Sequence, residues 1–210
     1  MAILKVSPTR IALLNLKKEL KTAEKGHKLL KDKRDGLVKK FMAVIFEAKS
    51  LRESVEARLG SAFDSYTRAS GMTAAAALDT AFMAPNAKID LGVTVKSVMS
   101  VKIPEFTVEK TGSAFSYGLL ETTGDLDNAM VKFDEVFVDI LRLAELEKTA
   151  ENLAEEIEKT RRRVSALENI RIPNFQDTIK FITMQLDERN RDAVVSTMRV
   201  KAMIVAKEQA

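Results

Sequence analysis

The chain has 210 residues, of which 46% are apolar and 30% charged, with a net charge of +4 and neither cysteine nor tryptophan. Without cysteine there can be no disulfide, thiolate metal site or cysteine nucleophile, and no stretch approaches the roughly 18 consecutive apolar residues of a membrane span. Only four prolines and eight glycines punctuate the chain, so the composition suits long helices with narrow apolar seams.

Charge is unevenly spread. Residues 1–40 carry twelve bases against four acids, a net of eight positive charges, while residues 121–160 carry four bases against twelve acids, a net of eight negative ones. Met1 to Thr9 contains no apolar run resembling a signal peptide, so a cytoplasmic protein is expected.

Pro8 fits a first helical turn, with Ser7 placed to cap it. From there apolar residues recur at alternating steps of three and four: Leu13, Leu16, Leu20, Ala23, His27, Leu30, Arg34, Leu37, Phe41, Val44, Ala48, Leu51 and Val55. This is the a/d seam of a heptad pattern, predicting one helix to about Ala69. At 1.5 Å per residue it would be about 90 Å long, and so narrow a stripe calls for a partner helix.

Between residues 71 and 124 the pattern changes. Gly71-Met72-Thr73 breaks the first helix, and Ala74 to Met83 reads as a short alanine-rich helix ended by Pro85. Ile89, Leu91, Val93, Val95, Met99, Val101 and Ile103 then occupy odd positions with polar residues interleaved. Strict alternation predicts strands with one buried face, most simply a hairpin, whose turn falls at Gly92 or at Lys96-Ser97. Residues 112–124 read as a loop.

A second seam begins at Leu126, Ala129, Phe133, Val136, Ile140 and Leu143 and continues through Ala150, Leu153, Ile157, Thr160, Val164 and Leu167. Pro173 is expected to kink or restart this helix. The period resumes with Phe175, Ile179, Ile182, Leu186, Arg189 and Ala193, as far as Val200 and Met203. The expected fold is mainly α, a long antiparallel two-helix coiled coil with a small central α+β head. It comprises a helix over 1–70, a short helix plus hairpin over 71–124 and a helix over 125–210. A local partner is favoured over a parallel homodimer because closing the loop costs little entropy.

Catalytic signals are sparse. The one histidine, His27, sits on the seam, where packing or register is its ordinary role. No phosphate-binding glycine loop or dinucleotide signature occurs, and two paired helices offer no pocket for paired carboxylates. Neither catalytic, cofactor nor metal residues are therefore assigned. The basic run Lys17, Lys18, Lys21, Lys25, Lys28, Lys31, Lys33 surrounds its helix, with no aromatic interleaved to stack on bases. A coiled-coil adaptor or nucleic-acid scaffold is the alternative to a protein track, in which a positive shaft faces an acidic or carbonyl-lined socket. The triplet Arg161-Arg162-Arg163 adds little, because three successive residues cover most of a turn.

Val6-Ser7-Pro8-Thr9-Arg10, Leu16-Lys17-Lys18-Glu19-Leu20 and Lys33-Arg34-Asp35 resemble the opening of the D subunit of V/A-type ATPases, in its bacterial or archaeal form. Arg161-Arg162-Arg163-Val164, Ala166-Leu167-Glu168, Ile172-Pro173, Thr178-Ile179 and Leu186-Asp187-Glu188 resemble its second helix, although Ser165 stands where the family usually has Asn, and Ala193, Val194 and Val195 replace part of a charged pattern. The resemblance implies a non-catalytic rotor shaft in the central stalk of a rotary ATPase. Such a shaft couples ATP hydrolysis or synthesis in the head to proton or sodium ion transport through the membrane ring. The implied partners are the A and B subunits of the hexameric catalytic head, the F subunit and the ring-capping C/d subunit. The protein would lie peripheral to the membrane, without inserting in it and without nucleic acid or cofactor. On this reading the head contacts are Arg10, Lys17, Lys18 and Lys21 with Arg189, Arg191, Arg199 and Lys201, and the hairpin docks or regulates.

Overall fold

The computed structural model describes residues 4–83, 86–113, 115, 117, 118 and 122–208. The elements in order are α1 (Arg10–Met72), α2 (Ala75–Phe82), β1 (Lys88–Val98), β2 (Val101–Thr111), α3 (Gly124–Ala166), a π-helical turn (Leu167–Arg171) and α4 (Ile172–Glu208). This is a mainly α fold, two long antiparallel helical arms paired as a coiled coil plus one two-stranded antiparallel hairpin. Contacts divide it into two units: Met1–Asp35 with Glu158–Ala210, and Gly36–Ile157.

In the first unit α1 is capped by Thr9, not Ser7. The Ala12 amide donates to Thr9 Oγ1 at 3.2 Å, and the Leu13 amide to the Thr9 carbonyl at 3.0 Å. The reason is that Pro8 precedes the cap and stays outside the helix, and a cap hydroxyl serves the third helical amide. Leu16, Phe175 and Ile182 form the core here, flanked by Leu13, Leu20, Ala23, Ile179 and Leu186. Thr178 is fully buried, and its hydroxyl donates to the Asn174 carbonyl at 2.6 Å while accepting from the Leu4 amide at 3.1 Å. The extended segment before α1 is thereby held against α4.

Pro173 does not stop the helix. The chain stays helical through it, because the preceding turn widens: the Ile172 amide bonds back five residues, to the Leu167 carbonyl. The seam explains the widening. Leu167 and Phe175 are eight residues apart where a heptad allows seven, so one extra residue has to be absorbed, and a π-turn absorbs one. The same widening accommodates the amide that Pro173 lacks. Opposite this turn, His27 Nε2 is buried 3.6 Å from Glu168 Oε2.

In the second unit Leu37, Val101 and Leu153 form one core, joined by Phe41, Val44 and Ile157. Ala69, Leu78 and Leu126 form another, covered by Tyr66 and Tyr117. Arg52–Glu147, Arg58–Asp139 and Arg142–Glu47 pair α1 with α3 on the outside. Each is half exposed or more on at least one side, so each contributes little to stability but biases register. Lys132 Nζ donates to Ser65 Oγ at 2.9 Å and Ser61 Oγ at 3.0 Å, tying α3 to α1 where alanine and serine let the helices approach closely.

The hairpin differs from expectation in two respects. Its turn lies at Met99-Ser100, which adopt φ of 53° and 69°, and neither Gly92 nor Lys96-Ser97 turns the chain. Two central residues at positive φ make the tight loop whose twist suits a hairpin. Gly92 instead lies within β1 opposite Thr107, whose hydroxyl donates to its carbonyl at 3.2 Å. A Cβ at residue 92 would meet that hydroxyl at 2.5 Å.

The second difference is which residues share a face. Because Val98 pairs with Val101 and Lys96 with Ile103, the odd residues of β1 face the same way as the even residues of β2. Ile89, Leu91, Val93 and Val95 therefore share a face with Pro104, Phe106 and Val108, away from Val101 and Ile103. That β1 row is solvent-facing, Val95 being 62% exposed, whereas Val101 is buried in the core.

Candidate functional site

The predicted head-contact residues all belong to the first unit, and all are exposed. On α1, Arg10, Leu14, Lys17 and Lys21 follow steps of four, three and four and so form one stripe beside the seam. Leu14 in this stripe is 60% exposed. Lys18 lies a further third of a turn round. Arg189 reaches the start of the same helix, donating from Nη1 to the Pro8 carbonyl at 3.0 Å. Arg10 and Arg189 thus share one end of the unit. Arg191 lies 3.8 Å from Glu188 on its own helix, while Arg199 and Lys201 project from the later turns of α4.

Those later turns carry a feature that a search for basic residues overlooks. Every residue from 187 to 206 is exposed, since α1 begins at Arg10 and offers nothing for them to pack on. Yet residues 193–206 contain only Arg199 and Lys201 as charges. Val194, Met198 and Val205 share one face with Lys201, and Val195, Val200, Met203 and Ile204 occupy the others. These apolar side chains are between 41% and 65% exposed. A helix that is apolar all round is ordinarily enclosed by other structure. The signal was present in the sequence as a run almost free of charge.

In the hairpin, Ile89, Leu91, Val93, Val95 and Met99 are exposed, Val101 is buried and Ile103 half-buried. Val101 is thus a core residue of its unit. Among the described residues no cluster of three or more acids or histidines could hold a metal, and no helix is long and apolar enough to cross a membrane. The hollows between side chains are open grooves a few hundred Å³ in volume, such as that of 410 Å³ beneath β2, lined by Phe106, Val108, Val138 and Leu141.

The family model for the D subunit of ATP synthase matches residues 12–202. The chain is 45% identical over 210 residues to the V-type ATP synthase D subunit of Clostridioides difficile, covering 99% of this chain and 95% of that protein. It is 46% identical over 207 residues to that of Fusobacterium nucleatum, covering 97% and 98%, and 43% identical to that of a Thermoanaerobacter species, covering 98% and 99%. Full-length similarity at this level, on two helical arms and a hairpin, places the chain in one family: it belongs to the ATP synthase D subunit family, accessory subunits of V-type ATP synthase complexes.

Proposed function

We propose that this protein is the rotor shaft of the central stalk, turning inside a catalytic head and doing no nucleotide chemistry itself. The observation that carries this reading is the end of α4: residues 187–206 are exposed, and over 193–206 that helix carries only Arg199 and Lys201 as charges. Such a segment needs a partner that surrounds it, and a ring of A and B head subunits is a partner of that geometry. The stripe of Arg10, Lys17 and Lys21, with Arg189 beside Pro8, sits in the same unit and forms a basic collar for acidic or carbonyl groups at the mouth of the ring. An apolar tip in a close-fitting sleeve rotates with little loss of hydrogen bonds, while the collar supplies contacts that differ with angle. Coupling requires such differential contacts, because a head whose states bind every shaft orientation equally would transmit nothing.

The F subunit, the ring-capping subunit and ion transport through the membrane ring complete the proposed assembly, on the cytoplasmic side of the membrane. Stiffness suits the role, since within each unit a continuous seam keeps the two arms packed on one another. The test is reconstitution of the chain with purified A, B and F, followed by ATPase turnover. Removing residues 193–210 is expected to weaken assembly with the head sharply while leaving the hairpin unit folded. Unchanged assembly and turnover after that truncation would refute the sleeve.

A further inference from the structure

The first unit has one level at which both helical arms are weak. On the α3–α4 arm this is the π-turn Leu167–Arg171, where the Ile172 amide reaches back to the Leu167 carbonyl. On α1 it is Gly26-His27, since His27 Nε2 lies 3.6 Å from Glu168 Oε2 of that turn. Gly26 has no packing reason to be glycine: it sits inside a 63-residue helix, and a Cβ there would meet nothing within 4 Å. A glycine inside a helix weakens it relative to alanine, because it has more backbone freedom to lose.

Packing at this level is thin as well. None of the described residues from Lys17 to Asp35 is buried, nor is any between Val164 and Phe175. The seam positions here are polar. His27 Nε2 is buried without a hydrogen-bond partner among the described residues, and so is Thr160 Oγ1 on α3. Arg34 directs its guanidinium at Asp35 on its own helix, at 2.7 and 2.9 Å. Buried polar groups without partners weaken a contact, and segments with few buried apolar contacts open first.

Beyond the π-turn the unit is braced. Phe175 and Ile182 pack on Leu16. The segment before α1 runs beside α4 from Thr178, whose hydroxyl accepts the Leu4 amide, to Arg189, which donates to the Pro8 carbonyl. From Thr178 to Arg189 is about 16 Å at 1.5 Å per residue, so this stretch of α4 is both packed on α1 and strapped by a further length of chain. Pro173 holds the π-turn in place, because without an amide it cannot close an ordinary α-turn.

We infer that this level is a bending and twisting joint of the shaft. The π-turn opens and closes against Gly26 and His27, while the strapped part of α4 beyond it moves as one piece. A tip held in a head needs such a joint: the held end keeps one angle while the rest of the shaft advances, and the strain falls on the turn with the least packing to lose. The joint itself is a property of the chain alone, whereas its use in turnover rests on the shaft reading.

Amide exchange on the full chain tests the joint. Residues 24–30 and 165–172 are expected to exchange at least about tenfold faster than 175–186. Deleting Ile170 together with Pro173→Ala restores heptad spacing between Leu167 and Phe175 and lets the arm run as α-helix, so exchange there should slow toward that of its flanks. Gly26→Ala stiffens the facing arm without threatening the fold, since alanine favours helix and the site is open. Gly60→Ala is its control: a Cβ there is equally unopposed, but α3, the arm paired with that part of α1, runs unbroken. In the complex with A, B and F, the deletion variant and Gly26→Ala are expected to assemble normally yet lower ATPase turnover by about two- to tenfold, with Gly60→Ala unchanged. Exchange at 24–30 and 165–172 no faster than at 175–186 overturns the joint. Fast exchange there with wild-type turnover in both stiffened variants overturns its use in the motor while leaving the shaft reading intact. Failure of the wild-type chain to join A and B overturns the shaft reading, and the joint's part in turnover with it.

Discussion

Leu37 tests the packing of the hairpin unit most directly. Its side chain is fully buried and touches Val101 of the hairpin and Leu153 of α3, so one residue joins three elements. Leu37→Ala removes three carbons, worth about 2.4 kcal/mol at roughly 0.8 kcal/mol per buried methylene. The cavity left between two helices held by their own hydrogen bonds cannot collapse fully, which brings the expected loss to about 3–5 kcal/mol. Leu29→Ala on the same helix is the control, because Leu29 is 70% exposed and surface changes stay within about 0.5 kcal/mol. Urea denaturation followed by circular dichroism compares the two, and amide exchange in β2 reports whether the hairpin loosens from Leu37. If Leu37→Ala were no more destabilising than Leu29→Ala, the packing argument for the seam would be refuted.

Thr9→Ala removes the cap hydroxyl of α1 and is expected to lower stability by about 1 kcal/mol, whereas Ser7→Ala should be nearly silent; thermal melts distinguish them. Thr160 is fully buried and its hydroxyl has no hydrogen-bond partner among the described residues, so Thr160→Val is expected to be neutral or to stabilise by about 1 kcal/mol. A clear loss of stability on that substitution would contradict the assigned burial. Tyr117 donates to Asp127 at 2.7 Å, and burial, then that hydrogen bond and the carboxylate charge, push its phenol well above the ordinary tyrosine value. A raised folded value means that the stabilisation is complete below the unfolded tyrosine range near pH 10 and is lost as pH rises beyond it. Absorbance titration should show the Tyr117 phenol ionising above the ordinary tyrosine range, and Asp127→Asn should move that step back toward it.

Much of the architecture was legible in the residues. Heptad spacing located both seams, and Leu16, Leu37, Val55, Leu153 and Val164 are buried where it placed them. The period works because 3.6 residues per turn leave one stripe facing the partner whatever the surroundings. Alternation between Ile89 and Ile103 identified strands for a similar reason. The hairpin turn escaped because Met99-Ser100 carries no glycine or asparagine; the burial of Val101 against Leu37 and Leu153 holds it at positive φ. Once the turn moved, the face carrying Leu91 and Val93 changed with it, since one residue of register reverses a strand. Likewise Pro173 alone announces a break, and only the partner seam, demanding one extra residue between Leu167 and Phe175, makes it a π-turn.

For function the division is similar. Sequence by itself determined the family, the long paired arms, the basic start of α1 and the charge-poor run at 193–206, because each is a property of residue order along one chain. That the π-turn faces His27, where Arg189 meets Pro8 and that residues 187–206 lack a covering helix were decided only by tertiary structure. Those facts depend on how far one arm extends past the other and on the register between them, and neither is encoded in a local period.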